Sequence, residues 1–488
     1  MGVARNSIAI AMSLALIACG GGGGSGAPAT GGVSPPPPAP NPPPTTTCSL
    51  SERQDFVKAV LDEWYLFPDL IDNTVRKSDF TTIDGYIDAL ISPARAQSRD
   101  RFFTYMTSIA EENALINSGA SAGFGIRLAY DTSANRVFVM EAFESGPAFP
   151  QGIDRGTEIL AVGDSPNAMQ TVASLMSAGG PQAVVNALGP STAGLQRTFR
   201  IRALGGAEQQ VTVAKADFSL DPVSDRYGVR ILDDGGKKVG YINLRTFIVD
   251  SAEQDLRAAF DRFRQEGVTE LIVDLRYNGG GLVRIGELLG DLMAANRAGQ
   301  VFSRTTLRPS KASENETDLF GSQAQAITAT KIAFIGTGSS ASASELVANA
   351  MIPYLGNNLA LVGSDTFGKP VGQFAFDLAA CDDRLRVVAF RTENASGQGD
   401  YYTGLASVFP NTCRAADDIF TPLGDPREAS IAQALAFLRG GGAVCSPISA
   451  NGDTAIASAE RQRGLSGRRE ALTPAKPTPA QREVPGFF

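Results

Sequence analysis

Apolar residues recur with helical spacing near the start of the folded part of the chain. Phe56, Val60 and Trp64 lie four residues apart. This spacing places them on one face of a helix, which predicts a helical region over residues 49–115. We interpret this region as a small cap with no chemistry of its own.

The pattern changes to short strands over residues 118–215. Residues 136–142 are mostly apolar and partly β-branched, and polar and apolar positions alternate over residues 199–202 and 211–213. Such alternation is typical of half-buried strands. We therefore predict a β-rich domain here, with one short helix over residues 168–176.

Residues 238–440 alternate between strand and helix patterns. Apolar strand patterns lie at residues 239–247, 271–273, 332–335 and 359–362. Helical patterns follow the first three: one from a capping box of Asp250 and Glu253 to Gly267, the others near residues 282–295 and 342–352. Repeated βαβ units predict an α/β domain, and ligands of such sheets collect beyond the carboxyl ends of the strands.

The first residues have the pattern of an export signal. Arg5 precedes an apolar run over residues 8–18, which is too short for the ~20 residues that span a bilayer. Residues 1–18 are therefore predicted to be a signal peptide. Leu-Ile-Ala-Cys at residues 16–19 resembles the lipobox of bacterial lipoproteins, which implies that Cys19 becomes lipidated. An ordinary signal peptide and a retained transmembrane helix are the alternatives.

Low-complexity composition marks both flanks of the folded region. Residues 19–47 hold glycine and proline runs, which predict a tether. Residues 446–488 are polar, with scattered prolines and no periodicity, and are predicted to form a disordered tail. Because Gly20 rather than aspartate follows the lipidated cysteine, we expect a lipid anchor in the outer membrane, facing the periplasm.

Composition narrows the possible chemistry. The 488 residues are enough for two to four domains. A net charge of -8 offers no basic excess for nucleic acid. The chain has no histidine, which excludes a Ser-His-Asp triad, a Cys-His pair and His-ligated zinc. Acid–base chemistry must then use another group with a displaced pKa, and we expect no metal or cofactor.

Cysteine numbers suggest disulfides. Besides Cys19, the chain contains Cys48, Cys381, Cys413 and Cys445, an even number suited to an oxidising compartment. Three pairings are possible. We favour Cys381–Cys413, which brackets one segment, with Cys48–Cys445, which ties together the ends of the folded region. Four free thiols are the alternative.

Three loops at predicted strand ends contain candidate chemical groups. Residues 274–281 end in three glycines, whose N–H groups can face a ligand. Residues 338–345 place serines at a helix start, where the helix dipole favours negative charge. Residues 366–373 place a lysine after a strand. Taken singly, each loop also has an ordinary structural explanation. The first can be a glycine turn, the second a helix cap and the third a solvated surface charge.

Together the loops resemble the signatures of the C-terminal processing, or tail-specific, peptidase family. That family carries Asp-Leu-Arg-x-Asn-Pro-Gly-Gly, Ser-Ala-Ser-Ala-Ser-Glu and Thr-Phe-Gly-Lys-Gly-x-x-Gln in this order. The serine motif is intact over residues 340–345. The resemblance covers roughly residues 50–440. It departs from the pattern at Gly279, where the family has proline, and at Pro370, where it has glycine.

The resemblance implies an α/β, crotonase-like peptidase core with Ser342 as nucleophile, Lys369 as base and Gln373 as the group that orients the lysine. Backbone N–H groups of Ala343 and Gly280 would hold the oxyanion. Free lysine titrates near ~10.4, so its pKa must fall by ~3, which requires about 4 kcal/mol against the charged form. Burial without a carboxylate partner can supply this.

A second resemblance concerns substrate recognition. Gly123, Phe124, Gly125 and Ile126 resemble the carboxylate-binding loop of a PDZ domain, and residues 156–163 resemble another turn of that domain. PDZ domains bind a free C-terminal carboxylate and add the peptide as an edge strand. The implied partners are proteins or peptides with free C-termini. A β-domain that serves only as a lid or spacer is the alternative.

The sequence thus predicts an α/β multidomain, exported and lipid-anchored serine endopeptidase that acts on protein tails. A catalytically silent PDZ-type module that only binds C-termini is the alternative. An acyl-transfer or lyase enzyme would explain the glycine loop, but it would not explain Ser342 and Lys369 together.

Overall fold

The computed structural model describes residues 47–448 and 469–488. The predicted signal peptide, Cys19 and nearly all of the tether lie outside the described residues. Within those residues, no helix combines the length and the apolar character needed to cross a membrane.

The helices alternate with strands over much of the chain. In chain order they are α1 (Leu50–Trp64), α2 (Ile83–Leu90), α3 (Ser92–Ala96), α4 (Ile109–Ser118), α5 (Val172–Leu188), α6 (Ala252–Gln265), α7 (Val283–Met293), α8 (Ala343–Leu355), α9 (Ala429–Gly440) and α10 (Pro479–Glu483).

The strands form several sheets. They are β1 (Tyr105–Ser108), β2 (Ala120–Gly123), β3 (Ile126–Asp131), β4 (Arg136–Ala142), β5 (Glu158–Gly163), β6 (Gln170–Thr171), β7 (Gln196–Arg202), β8 (Glu208–Ala214), β9 (Ala216–Ser219), β10 (Val229–Asp234), β11 (Lys237–Asn243), β12 (Glu270–Asp274), β13 (Val301–Leu307), β14 (Glu316–Leu319), β15 (Lys331–Gly336), β16 (Leu359–Gly363), β17 (Val371–Leu378), β18 (Asp383–Glu393), β19 (Thr412–Arg414) and β20 (Glu470–Ala471).

A six-stranded sheet with the order β10-β11-β12-β15-β16-β19 forms the predicted α/β domain. All its neighbours are parallel except β10 and β11. Successive side chains along β12 enter opposite cores: Leu271 and Val273 pack with α6, α7 and α8, whereas Ile272 packs with α9. Both faces are covered, as parallel sheets require.

The carboxyl ends of three strands meet at one edge of this sheet. Asp274 pairs with Ile335 in the ladder, and Gly336 pairs with Gly363. Because these strands are parallel and adjacent, the loops that follow them leave the sheet together. The fold therefore gathers the three loops that carry the candidate residues.

The N-terminal helices share a core with a second sheet. Val60 and Trp64 of α1 are buried with Phe376 of β17 and with Leu385 and Val387 of β18. Strand β1, which lies within the predicted helical region, pairs with β18. Helices α1 to α4 begin within residues 49–115, and this region packs directly on the strands that follow the lysine loop.

An antiparallel sheet with the order β20-β3-β4-β5-β7-β8 makes up most of the β-rich region. The helix predicted over residues 168–176 begins at Val172 and continues to Leu188, with a kink at Gly179 and Gly180. Strand β20 comes from the C-terminal segment and pairs with β3.

The prediction of a disordered tail is wrong for residues 469–488. Leu472 and Val484 are fully buried, and Phe487 and Phe488 are each 1% exposed. These apolar residues are too few to show a period. They are ordered because each fills a core built by distant parts of the chain.

The predicted disulfide pairing is also wrong. The bonds are Cys48–Cys381 and Cys413–Cys445, with Cα–Cα distances of 5.4 and 4.5 Å. Cys413 lies on β19 and Cys445 follows α9, which packs on the same sheet. Cys48 precedes α1, which packs beside β17, and Cys381 follows that strand. Proximity in the fold, not bracketing along the sequence, sets the pairs.

The capping box predicted for α6 is absent as well. Ser251 occupies the cap position without a side-chain hydrogen bond. Asp250 and Glu253 instead both form ion pairs with Arg284 at the start of α7. The two carboxylates therefore connect the start of α6 to α7 and do not cap α6.

The two disulfides should differ in their effect on stability. Their sequence separations are 333 and 32 residues, so the loop-entropy model assigns about 2 kcal/mol more stabilisation to the longer loop. We expect the double variant Cys48→Ser, Cys381→Ser to lose more free energy of unfolding than Cys413→Ser, Cys445→Ser. Denaturant unfolding of both variants checks this, and an equal or smaller loss for the first pair would contradict it.

Candidate active site

Ser342 lies at the junction of β15 with α8, in a strained conformation. Its φ and ψ are 55° and -116°, a region that costs energy for a residue with a side chain. The two neighbouring motif serines are buried and serve as braces. Ser340 Oγ donates to Leu275 O at 2.7 Å and Ser344 Oγ donates to Asn278 O at 3.0 Å. They fix the serine loop to the glycine loop, and Ser342 stays partly exposed between them.

The glycine loop approaches Ser342 closely. Gly280 and Gly281 have φ values of 112° and 135°, which favour glycine. A Cβ on Gly280 would lie 2.7 Å from Ser342 Cβ and 3.1 Å from Ala343 N. The N–H of Gly280 donates to Asn278 Oδ1 at 3.0 Å. This N–H therefore already has an acceptor. A substrate oxyanion would have to share the N–H with Asn278 Oδ1 or replace that oxygen.

Lys369 is held by neutral groups. Its Nζ donates to Gln373 Oε1 at 2.7 Å and lies 5.0 Å from the centre of the Phe103 ring. Gln373 Nε2 in turn donates to Phe103 O, which fixes the amide with its oxygen toward the lysine. The structure thus brings Lys369 and Gln373 together, and it adds Phe103, which sequence reasoning did not identify.

Burial lowers the pKa of the Lys369 amine from its usual value. The negative charges of Glu483, Asp100 and Glu345 oppose this shift, and Arg386 adds to it. Desolvation outweighs the opposing charges. The direction is the one that a base near neutral pH needs.

Lys369 and Ser342 are linked through Glu345 rather than directly. Within the described residues, Lys369 Nζ makes no hydrogen bond to Ser342 Oγ. One carboxylate oxygen of Glu345, Oε2, accepts from the backbone N–H of Ser342 at 3.1 Å and from that of Lys369 at 2.7 Å. The other, Oε1, accepts from Thr366 Oγ1 at 2.6 Å and from Gly368 N at 2.7 Å.

Glu345 is fully buried, and this burial raises its pKa to about 7 against the effect of its four hydrogen bonds. A buried carboxylate that accepts four hydrogen bonds holds the serine loop and the lysine loop in one arrangement. The sequence motif contains this glutamate, but its spacing alone gave no reason to assign it a role. The available signal was an acidic residue within an apolar helix.

A buried ion pair supports the glycine loop from below. Arg276 Nη2 lies 2.7 Å from Asp274 Oδ2, and Arg276 Nη1 lies 2.8 Å from Glu428 Oε1. All three side chains are fully buried. Asn278 Nδ2 donates to Leu244 O at 2.8 Å. The polar residues before the glycines are therefore structural supports.

The predicted peptide-binding loop contacts the chain's own C-terminal segment. The N–H groups of Phe124 and Ile126 both donate to Phe488 O, at 2.9 and 3.2 Å, and Phe488 N donates to Ile126 O at 2.9 Å. A Cβ on Gly123 would lie 2.9 Å from Phe488 C. Gly125 has a φ of 75° and meets Gly146 instead.

Residues 238–404 match the sequence model of peptidase family S41. This segment contains the glycine, serine and lysine loops. This segment is therefore similar to that family.

Several proteins of known name are also similar in sequence to this chain. A carboxyl-terminal-processing protease of Synechocystis sp. is 25% identical over 307 residues, which cover 62% of this chain and 64% of the relative. Carboxyl-terminal-processing peptidase 1, chloroplastic, of Arabidopsis thaliana is 30% identical over 230 residues, which cover 46% and 42%. The chain thus spans less than two thirds of the length of these relatives.

A solved structure named as an S41 protease, from Bacteroides fragilis, has a similar fold. Its TM-score is 0.60 at 20% identity, and the match covers 79% of this chain and 97% of that one. The likeness shows that this chain has a mixed α/β, multidomain fold similar to that structure.

Replacing Glu345 with Gln should loosen both loops. The amide keeps one acceptor oxygen, so buried N–H donors lose their partner, and we expect a loss of at least ~2 kcal/mol in the free energy of unfolding. Denaturant unfolding at pH 8, above the pKa of this carboxyl group, measures it. Glu111→Gln removes an exposed carboxylate on α4 and is the matched control. Equal stability of the two variants would contradict the role of Glu345.

Proposed function

We propose that the chain is a serine endopeptidase that cleaves protein substrates through an acyl-enzyme on Ser342, with Lys369 as the general base. The supporting observation is the arrangement that Glu345 holds together. It combines a strained, partly exposed serine at a helix start with a lysine whose amine is bonded to a neutral amide and whose pKa is lowered by burial. Family S41 similarity of the same segment agrees with this chemistry.

The proposed reaction begins with transfer of the Ser342 Oγ proton to neutral Lys369. The serine oxygen then attacks the scissile carbonyl carbon, and negative charge develops on the carbonyl oxygen. Backbone N–H groups of Ala343 and Gly280 stabilise that oxygen at the N-terminus of α8. The protonated lysine gives its proton to the leaving amine, and water releases the acyl group by the reverse sequence.

Gln373 is proposed to position the lysine rather than to react. Its oxygen accepts a hydrogen bond from the amine in either protonation state, and its nitrogen is held by Phe103 O. A glutamate in this place would add a charge that favours the ammonium form. A neutral amide orients the amine without that penalty.

Protein C-termini are the proposed substrates. The β-rich region presents two converging N–H donors, from Phe124 and Ile126, at the edge of strand β3 where Phe488 O accepts both hydrogen bonds. This is the arrangement by which PDZ-like domains bind the end of a peptide as an added strand. The names of the relatives, carboxyl-terminal-processing proteases, agree with such a specificity.

We further propose that the protein is exported and lipid-anchored through Cys19, in the outer membrane facing the periplasm. The lipobox-like sequence and the glycine that follows it support this location. Two disulfides in the described residues are expected in an oxidising compartment. Metabolic labelling with a fatty-acid analogue, lost on Cys19→Ala, tests the anchor.

Covalent labelling tests the proposed nucleophile. A fluorophosphonate probe should modify the full chain, and Ser342→Ala should abolish the modification. Because the C-terminal segment contacts the glycine loop, labelling is also measured on the full-length Phe487→Ala, Phe488→Ala variant. No labelling of either protein would reject the peptidase and favour a module that only binds peptides.

The pH dependence of labelling tests the proposed base. The rate should rise with pH as Lys369 loses its proton, with a midpoint below the ordinary lysine value of ~10.4, because burial lowers this pKa. Arginine stays protonated, so Lys369→Arg should reduce the rate at least ~100-fold and remove the rise. Lys238→Arg, on β11, is the matched control. A rate that is independent of residue 369 would exclude it as the base.

A further inference from the structure

The last residues of the chain form a strand-like addition to β3. Phe488 is joined to the backbone of β3 and the loop before it by three hydrogen bonds, and Leu128 N donates to Gly486 O at 2.7 Å. Arg127 and Phe487 form an antiparallel bridge between the two segments. The segment thus occupies the edge that the proposed function assigns to substrate.

Two aromatic side chains anchor this segment. Phe488 is buried in the core that contains Phe124 and Leu188. The Phe487 ring packs against Phe143 and Phe218, with ring centres 5.8 Å apart in both cases. The two rings enter different apolar clusters, on opposite sides of the added strand. Both clusters therefore favour large aromatic side chains at these two positions of the segment.

The turn before the aromatic pair requires glycine. Gly486 has a φ of 81°, and a Cβ there would lie 2.7 Å from Leu128 O. Gln481 Nε2 donates to Phe487 O at 3.0 Å and braces the turn from helix α10. The recognised sequence is therefore Gly-Phe-Phe, held in a defined bend.

Helix α10 brings the same segment to the glycine loop. Gly279 N donates to Glu483 O at 3.1 Å, and a Cβ on Gly279 would lie 2.9 Å from that oxygen. A proline at this position could not donate and could not fit. The contact is two residues from Gly281 and one from Gly280, whose Cα adjoins Ser342.

The segment is bound as an occupant rather than as a substrate. Arg482 and Glu483 end a helical turn that begins with a capping box of Thr478 and Gln481. Strand-addition recognition requires an extended backbone, whereas residues 479–483 are helical. The part of the segment nearest Ser342 thus has a conformation unsuited to attack.

We infer that residues 478–488 are a ligand of the chain's own peptide-binding groove, and that while bound they lie against the glycine loop beside Ser342, so that substrates must displace them. The groove selects peptides that carry Gly-Phe-Phe or a close aromatic equivalent. The blocking effect rests on the proposed peptidase function, whereas the occupancy and the selectivity of the groove do not.

The charge of Glu483 strengthens the block. When ionised, its carboxylate favours the charged form of Lys369, and its effect is the largest among the acidic groups that do so, although burial raises its own pKa. Asp100 and Glu345 act in the same direction and Arg386 acts against them, but these three belong to the body of the fold. Release of the segment therefore removes one of the negative charges that favour the ammonium form.

Fluorophosphonate labelling of full-length variants tests the block. Phe487→Ala, Phe488→Ala removes both anchors, and Gly486→Ala strains the turn without deleting an apolar group. We expect each to label at least about tenfold faster than the unaltered protein, because the open state is no longer a minor population. Phe80→Ala, a half-buried phenyl group in the helical region, should leave the rate unchanged.

A peptide-binding measurement tests the groove without using catalysis. The probe is a fluorescently labelled peptide with the sequence of residues 483–488, Glu-Val-Pro-Gly-Phe-Phe. The double phenylalanine variant should bind it at least about tenfold more tightly than the unaltered protein, whose groove is filled. A peptide with both phenylalanines replaced by alanine should not bind, and anisotropy measures all combinations.

The outcomes separate the two proposals. If the segment variants label at the unaltered rate while Ser342→Ala is not labelled, the block is wrong and the peptidase stands. If nothing labels but the double variant binds the peptide, the peptidase is wrong and the groove ligand stands. Rates or affinities that depend on protein concentration would show that the segment comes from a second copy, which overturns occupancy within one chain.

The position of Glu483 has its own test. In Glu483→Gln the segment keeps its anchors, so labelling stays slow, but the midpoint of its pH dependence should move to lower pH. An unchanged midpoint would show that this carboxylate does not act on the lysine, and would overturn its contribution to the block.

Discussion

One buried carboxylate determines the geometry of the candidate site. Glu345 accepts hydrogen bonds from the backbone at Ser342, Gly368 and Lys369, and from the Thr366 hydroxyl. The serine and lysine come from different loops, and the sheet brings these loops only to the same edge. Glu345 fixes their separation, because four donors on one buried group leave neither loop free to shift without exposing unpaired N–H groups.

The same carboxylate creates an electrostatic conflict that the rest of the site must balance. A negative charge near Lys369 favours its protonated form, as do Asp100 and Glu483. The amine is nevertheless shifted toward neutrality, because desolvation is the larger effect and the groups that touch it, Gln373 and the Phe103 ring, are uncharged. Glu345 also directs its oxygens at backbone N–H groups rather than at the amine. Its carboxylate thus holds the two loops together, while its effect on the pKa of Lys369 is smaller than that of burial.

Much of this site was readable from local sequence, because strand ends and glycine turns are local features. The parallel strands that end at Asp274, Gly336 and Gly363 were predicted from apolar runs, and their edge gathers the loops. The disulfide partners were not readable, since Cys48 and Cys381 meet only through the packing of α1 on β17. The role of Asp250 and Glu253 was misread for the same reason: local spacing suggested a cap, whereas a residue on another helix, Arg284, pairs with them.

The order of the C-terminal segment could not be predicted from its local sequence. A polar stretch with scattered prolines has too few apolar residues to build a core of its own. Composition does not exclude docking onto an existing core, because the cost of ordering is then set against pockets already formed by Phe124, Phe143 and Phe218. Phe487 and Phe488 need no periodicity to fill those pockets. A short segment with two adjacent aromatic residues can therefore be ordered by the same groove that the proposed function assigns to substrate, and competition between the two follows from their shared chemistry.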